Sequence, residues 1–447
     1  MNKHTNPGRL AAAGVALTFA LAGCGAGQPG AQDDGSTLDP NAKVELTMSG
    51  WNLEGTPEFK ALADGFNKAH PNITVKLMSY SADDYDTQMT ADLSAGKAPD
   101  IVSIRTMAKY SVYAQENQLQ DLTDIATSMK GGDFNPDSYK LGDKYWAMPY
   151  RQDSYVMYYN KDMFKKTGVA EPTKDWTWND FMAKAEELKT KLPQAGYDQN
   201  TVYPAYMHTS WQDVVQGFAL GQTKGADFLS GDYNYLKPYY ERALKMQDEK
   251  LTLDYGTVSS TKTQYQGQFG TQKAAMMTIG TWYIAQLVQQ QKTGDADKFD
   301  WGIAPVPQNP DEPVPDTPKT FGSVAGVSIA HTVSGDKLKA AKEFIRWACG
   351  EDGAKELTKI GTTPAYVSDA VVKSFFSQDG IPQDELSRYA WQKHDMTLVN
   401  PAAPGTNEIQ TLLQIAHSSI MTGGKSIDDA IATATEAIKS SGALDEK

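Results

Sequence analysis

Trp51, Asn52 and Glu54 stand together in the turn Gly50-Trp51-Asn52-Leu53-Glu54-Gly55, directly after the alternating segment Val44-Glu45-Leu46-Thr47-Met48. An indole face beside an amide and a carboxylate suits a polyhydroxylated ring, which has apolar C–H faces and a rim of donors and acceptors. Trp282, following Ile279-Gly280-Thr281, reads as a second such ring placed on a tight turn, with Tyr283 beside it as packing. Phe321-Gly322-Ser323 can bring backbone groups close to a ligand, because glycine permits close approach, or can be a plain turn. Arg105 ends a short apolar run and can fork two hydroxyls or pair with a surface carboxylate. Trp391, His394 and Asp395 cluster within five residues, where an imidazole and a carboxylate can hold adjacent hydroxyls or form a helix-end charge pair. The chain carries 9 Trp and 22 Tyr against 14 Phe, so most of its aromatic rings combine a stacking face with a polar handle.

Those loops need elements to hold them. Thr56 and Pro57 read as the cap and first turn of a helix whose Phe59, Leu62, Ala63 and Phe66 make one apolar stripe ending before Pro71. A strand over 73–78 follows, then a helix marked by Tyr85, Met89 and Leu93 and ended at Gly96, then a buried strand over 100–104. This alternation is an α/β signature, and ligands of open α/β sheets sit beyond the carboxyl ends of the strands, where the Trp51 loop falls. Thr177 caps a further helix that turns Phe181, Ala185 and Leu188 inward; Leu338, Ala341, Ile345 and Ala348 line another. Pro-rich turns occupy 305–307 and 311–318, and periodicity over 409–420 and 427–438 ends the chain on helices.

The amino terminus sets the compartment. Lys3 and Arg9 lead into an uncharged run over 10–22 that is too short to span a bilayer, and the run closes on Leu21-Ala22-Gly23-Cys24. Small residues before a cysteine form a lipobox, so residues 1–23 read as a signal peptide, Cys24 as the lipidated residue and 24–42 as a flexible tether. The membrane is touched only through the Cys24 lipid, on the outer face of the cytoplasmic membrane. The other cysteine, Cys349, lies within a helical pattern and reads as buried core, so no disulfide framework exists. Formal charge is −13, which repels phosphate backbones and excludes nucleic acid as a partner. Six scattered histidines give no metal-ligand spacing, no cofactor motif is present, and the adjacent carboxylates Asp83-Asp84 and Glu186-Glu187 cannot flank one glycosidic bond. Without a phosphate-binding loop, any energy for transport must come from a separate ATPase.

Four segments, in order, carry a resemblance: Lys97-Ala98-Pro99-Asp100-Ile101-Val102; Tyr145-Trp146-Ala147-Met148-Pro149-Tyr150 with Tyr158-Tyr159-Asn160-Lys161-Asp162-Met163-Phe164; Lys273-Ala274-Ala275-Met276-Met277 with Gly280-Thr281-Trp282; and the run from Gly423 to Ala430. Behind a lipobox, this series resembles the extracellular solute-binding proteins of the maltodextrin and multiple-sugar binding type, over nearly the whole mature chain. The resemblance implies an α/β, two-lobe periplasmic-binding-protein-like fold with a hinged central cleft. One lobe would take 43–149 plus 305–350 and the other 150–304 plus 351–447, with crossings near 148–152, 304–307 and 350–355. It also implies a monomer that closes on an oligosaccharide and delivers it to permease subunits of an ABC importer, without enzymatic activity. Asp153, by its spacing before Asn160, corresponds to an acidic ligand contact or to a hinge hydrogen bond. Trp211 and Trp282 correspond to stacking rings of the second lobe, Arg105 to a polar contact and Tyr366 to a late contact. Within the binding class the alternative is a non-sugar polar solute such as a peptide; a secreted glycoside hydrolase is the enzymatic one.

Overall fold

The computed structural model describes residues 38–445. The proposed leader, Cys24 and the tether up to residue 37 lie outside them, while Leu38 and Ala42 already pack against a hydrophobic core.

Eleven strands follow in chain order: β1 Val44–Trp51, β2 Ile73–Tyr80, β3 Ile101–Ile104, β4 Lys140–Leu141, β5 Lys144–Tyr145, β6 Met148–Asn160, β7 Tyr203–Met207, β8 Ala274–Gly280, β9 Trp301–Ala304, β10 Lys319–Ile329 and β11 Asp395–Leu398. Except for the β4–β5 hairpin they form one sheet in the order β2-β1-β3-β10-β6-β8-β7, with β11 added on β10 and β9 on β6. β1 pairs in parallel with β2 and β3, as strands joined by helical crossovers must. The helix Glu58–Ala69 between β1 and β2 buries the expected stripe Phe59, Leu62, Ala63 and Phe66. Its start differs from expectation: Pro57 flanks the helix and no side chain caps it, Thr56 being buried instead.

The two long antiparallel strands β6 and β10 join the halves of the molecule. Met148 to Ser154 pair with β10, whereas Tyr155 to Asn160 pair with β8 and β9. Accordingly there are two main hydrophobic cores. The first gathers Met48, Phe59, Ile101, Tyr150, Val324 and Phe344. The second gathers Tyr158, Trp178, Phe218, Met276, Val306 and Phe321. Both are α/β, so the expected fold class holds. Chain membership of the cores changes between Tyr150 and Tyr155, and again between Phe321 and Val324, in the middle of the paired strands.

Helix Trp178–Gln194 begins with the expected Thr177, whose hydroxyl accepts from the Asp180 amide while Asp180 accepts from the Thr177 amide, a reciprocal capping box. Cys349 is buried, and burial pushes its thiol pKa well up, so it is a core residue and no nucleophile. No helix among the described residues is long and apolar enough to cross a membrane.

Candidate functional site

β7 and β8 lie side by side in parallel, and the segments leaving their carboxyl ends carry the two tryptophans that the sequence singled out for this half. Trp211 occupies the turn before helix Asp213–Gln222 and is 38% exposed, one of few large apolar side chains at the surface. Trp282 is the first residue of helix Trp282–Thr293, not part of an isolated tight turn, because Thr281 already adopts helical geometry at the helix entry. Its ring folds back over Gly280, where any Cβ would run into the indole. The two indoles stand 6.2 Å apart with planes inclined at 51°. Tyr265 ties them together: its ring lies 5.8 Å from Trp211, and its hydroxyl accepts from the Trp282 indole nitrogen at 3.1 Å and donates to Gln286 at 3.0 Å. Burial raises the Tyr265 phenol to about 12, so it stays protonated. His208 supports Trp211 edge-on at 4.4 Å; its nitrogens contact the Tyr206 hydroxyl at 2.9 Å and the Ser210 hydroxyl at 3.2 Å. Burial lowers the imidazole to about 4, so it is neutral at pH 7.

Charge enters along β6. Arg151 and Asp153 are two apart and so share one face of the strand. The Arg151 Nε lies 2.7 Å from an Asp153 carboxylate oxygen, without the alignment of a hydrogen bond, and the guanidinium also donates to Glu58 from the helix after β1. Thr281 of the second half donates to Asp153 at 3.2 Å. Asp153 is fully buried, so it faces Arg151 and Thr281 and not solvent. Burial raises its carboxyl to about 6 against the opposing pull of Arg151, with Glu58 adding to the rise. Asp213 opens the helix after Trp211. Burial raises it to about 6 as well; burial also keeps the Tyr155 and Tyr240 phenols protonated, with the Asp213 charge adding to the rise of both.

In the first half, Asn52, Leu53 and Glu54 line an opening of about 390 Å³ with Ser79, Tyr80 and Asp83, at the carboxyl ends of β1 and β2. Asn52 has φ +44°, which turns the chain sharply out of the strand. Arg105 reaches this rim, donating to the Ala82 carbonyl at 2.7 Å and lying 3.7 Å from Asp86. Its guanidinium therefore takes the carboxylate pairing, one of the two roles its position allowed.

Other expected residues are placed differently. Trp51 ends β1 as a core residue, 8% exposed, edge-on to Phe59 at 4.7 Å and Tyr85 at 5.2 Å. The strand runs through Gly50 and Trp51, two residues into the segment read as a turn, and the ring lies in the core. Trp391 is buried, stacked on Phe375 at 4.3 Å, with its indole nitrogen donating to Thr363. His394 and Asp395 form no ion pair: His394 is half-buried with its pKa lowered by burial, and Asp395 starts β11 in the exposed position. Tyr366 packs against Phe134 and over Gly132. Gly322 makes its close approach to the Asp153 carbonyl and Met396, and Ser323 is the register partner of Asp153, so both belong to the β6–β10 pairing. Trp211 and Trp282 are brought together, and Asn52, Glu54 and Arg105 share a rim. Sequence reasoning missed Arg151, His208, Tyr265 and Asp213. An arginine and an aspartate at alternate positions of the otherwise apolar strand Met148–Asn160 were a readable sign; Tyr265 left none.

Two α/β lobes strung on shared strands, with aromatic and charged groups gathered where the strands cross, define a two-lobe periplasmic-binding fold. Residues 50–355 match the family model described as bacterial extracellular solute-binding protein, and the chain belongs to that family. It is similar to the melibiose/raffinose/stachyose-binding protein MelE of Bacillus subtilis, at 25% identity over 81% of this chain and 82% of that one. It is also similar to the sn-glycerol-3-phosphate-binding periplasmic protein UgpB of Escherichia coli, at 23% identity over 90% and 94%. Among solved structures, a sugar transporter from Rhizobium etli in an open conformation superposes with TM-score 0.75 at 30% identity, covering 88% of this chain and 99% of that one.

Proposed function

We propose that this protein captures a carbohydrate outside the cytoplasmic membrane and delivers it to the permease subunits of an ABC importer, whose separate ATPase supplies the energy. The observation that carries the reading is the Trp211–Trp282 pair, 6.2 Å apart and braced by Tyr265. Two inclined indole faces with a polar phenol between them offer stacking surfaces for C–H faces and few fixed charges beside them. MelE and the Rhizobium etli protein, whose names refer to sugars, support the same reading. The protein acts by binding and release, as a monomer held at the membrane by the Cys24 lipid. The lobes divide within β6, within β10 near 321–324 and again beyond 350–355, and bending of the two long strands closes them.

The test is a thermal-shift and calorimetric screen of the Cys24→Ser protein against neutral di- to hexasaccharides. A saccharide that raises the melting temperature, with the gain abolished in Trp282→Ala, is the expected result. If no saccharide at millimolar concentration shifts melting, or if reducing ends are released on incubation, the reading fails. Membrane fractionation of cells expressing wild type and Cys24→Ser checks the anchor, which requires the variant alone to leave the membrane.

A further inference from the structure

Several carboxylates near the strand crossings are paired. Glu58 and Asp153 share Arg151, Asp153 also accepts from Thr281, and Asp86 lies beside Arg105. Asp213 makes no hydrogen bond or ion pair among the described residues. It is half-buried, two residues beyond exposed Trp211, in the first turn of a ten-residue helix. Its charge acts on the Tyr155 phenol, and Tyr155 packs edge-on against Trp282 at 5.4 Å. A part-buried carboxylate with no donor from its own chain keeps its acceptor sites open to water or to a ligand. We infer that Asp213 is a ligand-binding carboxylate that makes this protein select uncharged or amino-bearing saccharides and reject anionic solutes.

The inference rests on the carbohydrate reading and narrows its substrate class. A carboxylate has several acceptor sites and no donor, so adjacent hydroxyls or an ammonium group satisfy it, whereas a phosphate or uronate brings like charge. Among the described residues no cation pairs with Asp213. Arg151 is occupied by two carboxylates, and the basic groups of the first-lobe rim, Arg105 and Lys109, act on Asp86. Glu54 and Asp83 add negative charge at the same rim.

The experiment compares wild type and Asp213→Asn, both carrying Cys24→Ser, by calorimetry at pH 7.5. The probes are a panel of neutral oligosaccharides including raffinose and maltotriose, digalacturonate, and sn-glycerol 3-phosphate. The expected result is binding of at least one neutral oligosaccharide, weakened tenfold or more by Asp213→Asn, with no binding of either anion to wild type. A cooperative melt of Asp213→Asn at or above the wild-type temperature excludes misfolding as the cause. Asp213→Glu keeps the charge, and if it also loses binding, the residue acts by fit and the charge argument falls. Equal affinity of Asp213→Asn and wild type for the neutral ligand, or tight binding of an anion, overturns the inference and leaves the carbohydrate reading standing. If no saccharide binds wild type at all, both fall together.

Discussion

The indole nitrogen of Trp282 donates to the hydroxyl of Tyr265 at 3.1 Å, and the same hydroxyl donates in turn to Gln286 at 3.0 Å. One phenol thus fixes the tilt of a ring that has a strand glycine beneath it and Trp211 in front. Tyr265→Phe removes both bonds and leaves the Trp282 N–H without its partner. The loss is expected to lower stability by about 1 kcal/mol and to weaken saccharide binding several-fold through loss of ring orientation. Melting curves and calorimetry on the same preparation separate the two effects.

Arg151 holds two acidic groups, Glu58 from the first lobe and Asp153, which Thr281 binds from the second. Removing one member of a buried charged set leaves the others uncompensated, at a cost of about 3–5 kcal/mol. Arg151→Met is therefore expected to be strongly destabilised, and Arg151→Met with Asp153→Asn to recover part of the loss. The single variant also has a pH signature. Without Arg151, the Asp153 carboxyl would titrate above its present value of about 6. A carboxyl that binds protons more readily in the folded state than in the unfolded one favours folding as pH falls. The melting temperature of Arg151→Met should rise between pH 7.5 and pH 5, relative to wild type. A flat difference would show that Asp153 finds another partner.

The strand-helix-strand-helix-strand order of residues 44–104 was legible because local patterns decide it, and each element buries the stripe its spacing marked. The capping box at Thr177 was readable for the same reason. The direction of a single ring at an element boundary was not. Gly50 directly precedes Trp51 and Gly280 lies two residues before Trp282, yet continuation of the strand through Trp51 sets that ring in the core, while a helix start lays Trp282 over Gly280. Trp391 was read beside His394 and Asp395, but its stacking partner Phe375 is 16 positions away and no local pattern announces that contact. Tyr265 and Arg151 matter through partners far along the chain, which periodicity does not record.

Gly280 has no room for a side chain, because the Trp282 ring occupies the space that a Cβ would fill. Gly280→Ala is expected to push the indole off the strand end and out of its bond with Tyr265. Overpacking of this kind costs about 1–3 kcal/mol, well short of unfolding a chain with two large cores. Saccharide affinity should fall by tenfold or more, with a changed tryptophan emission spectrum in the ligand-free protein. Unchanged affinity would mean that the position of Trp282 does not matter to the ligand.

Asp213 makes opposite demands on stability and binding. Its carboxyl is held at about 6 in the folded protein by burial, against about 3.9 for an ordinary aspartate. Above pH 6 the folded state must therefore keep the group ionised in surroundings that disfavour charge, and this cost vanishes as pH falls below about 4. Asp213→Asn removes a cost on the order of 1 kcal/mol or more at neutral pH, partly offset by loss of a favourable negative charge at the helix start. The variant is expected to melt above ligand-free wild type at pH 7.5, with the gain shrinking through pH 6–4 as wild type itself becomes protonated. His208 and His417, both lowered to about 4 by burial, destabilise the protein in acid. They do so equally in both proteins and cancel in the difference. A melting difference that is absent at pH 7.5, or that grows toward pH 4, would show that Asp213 is solvated like any surface aspartate.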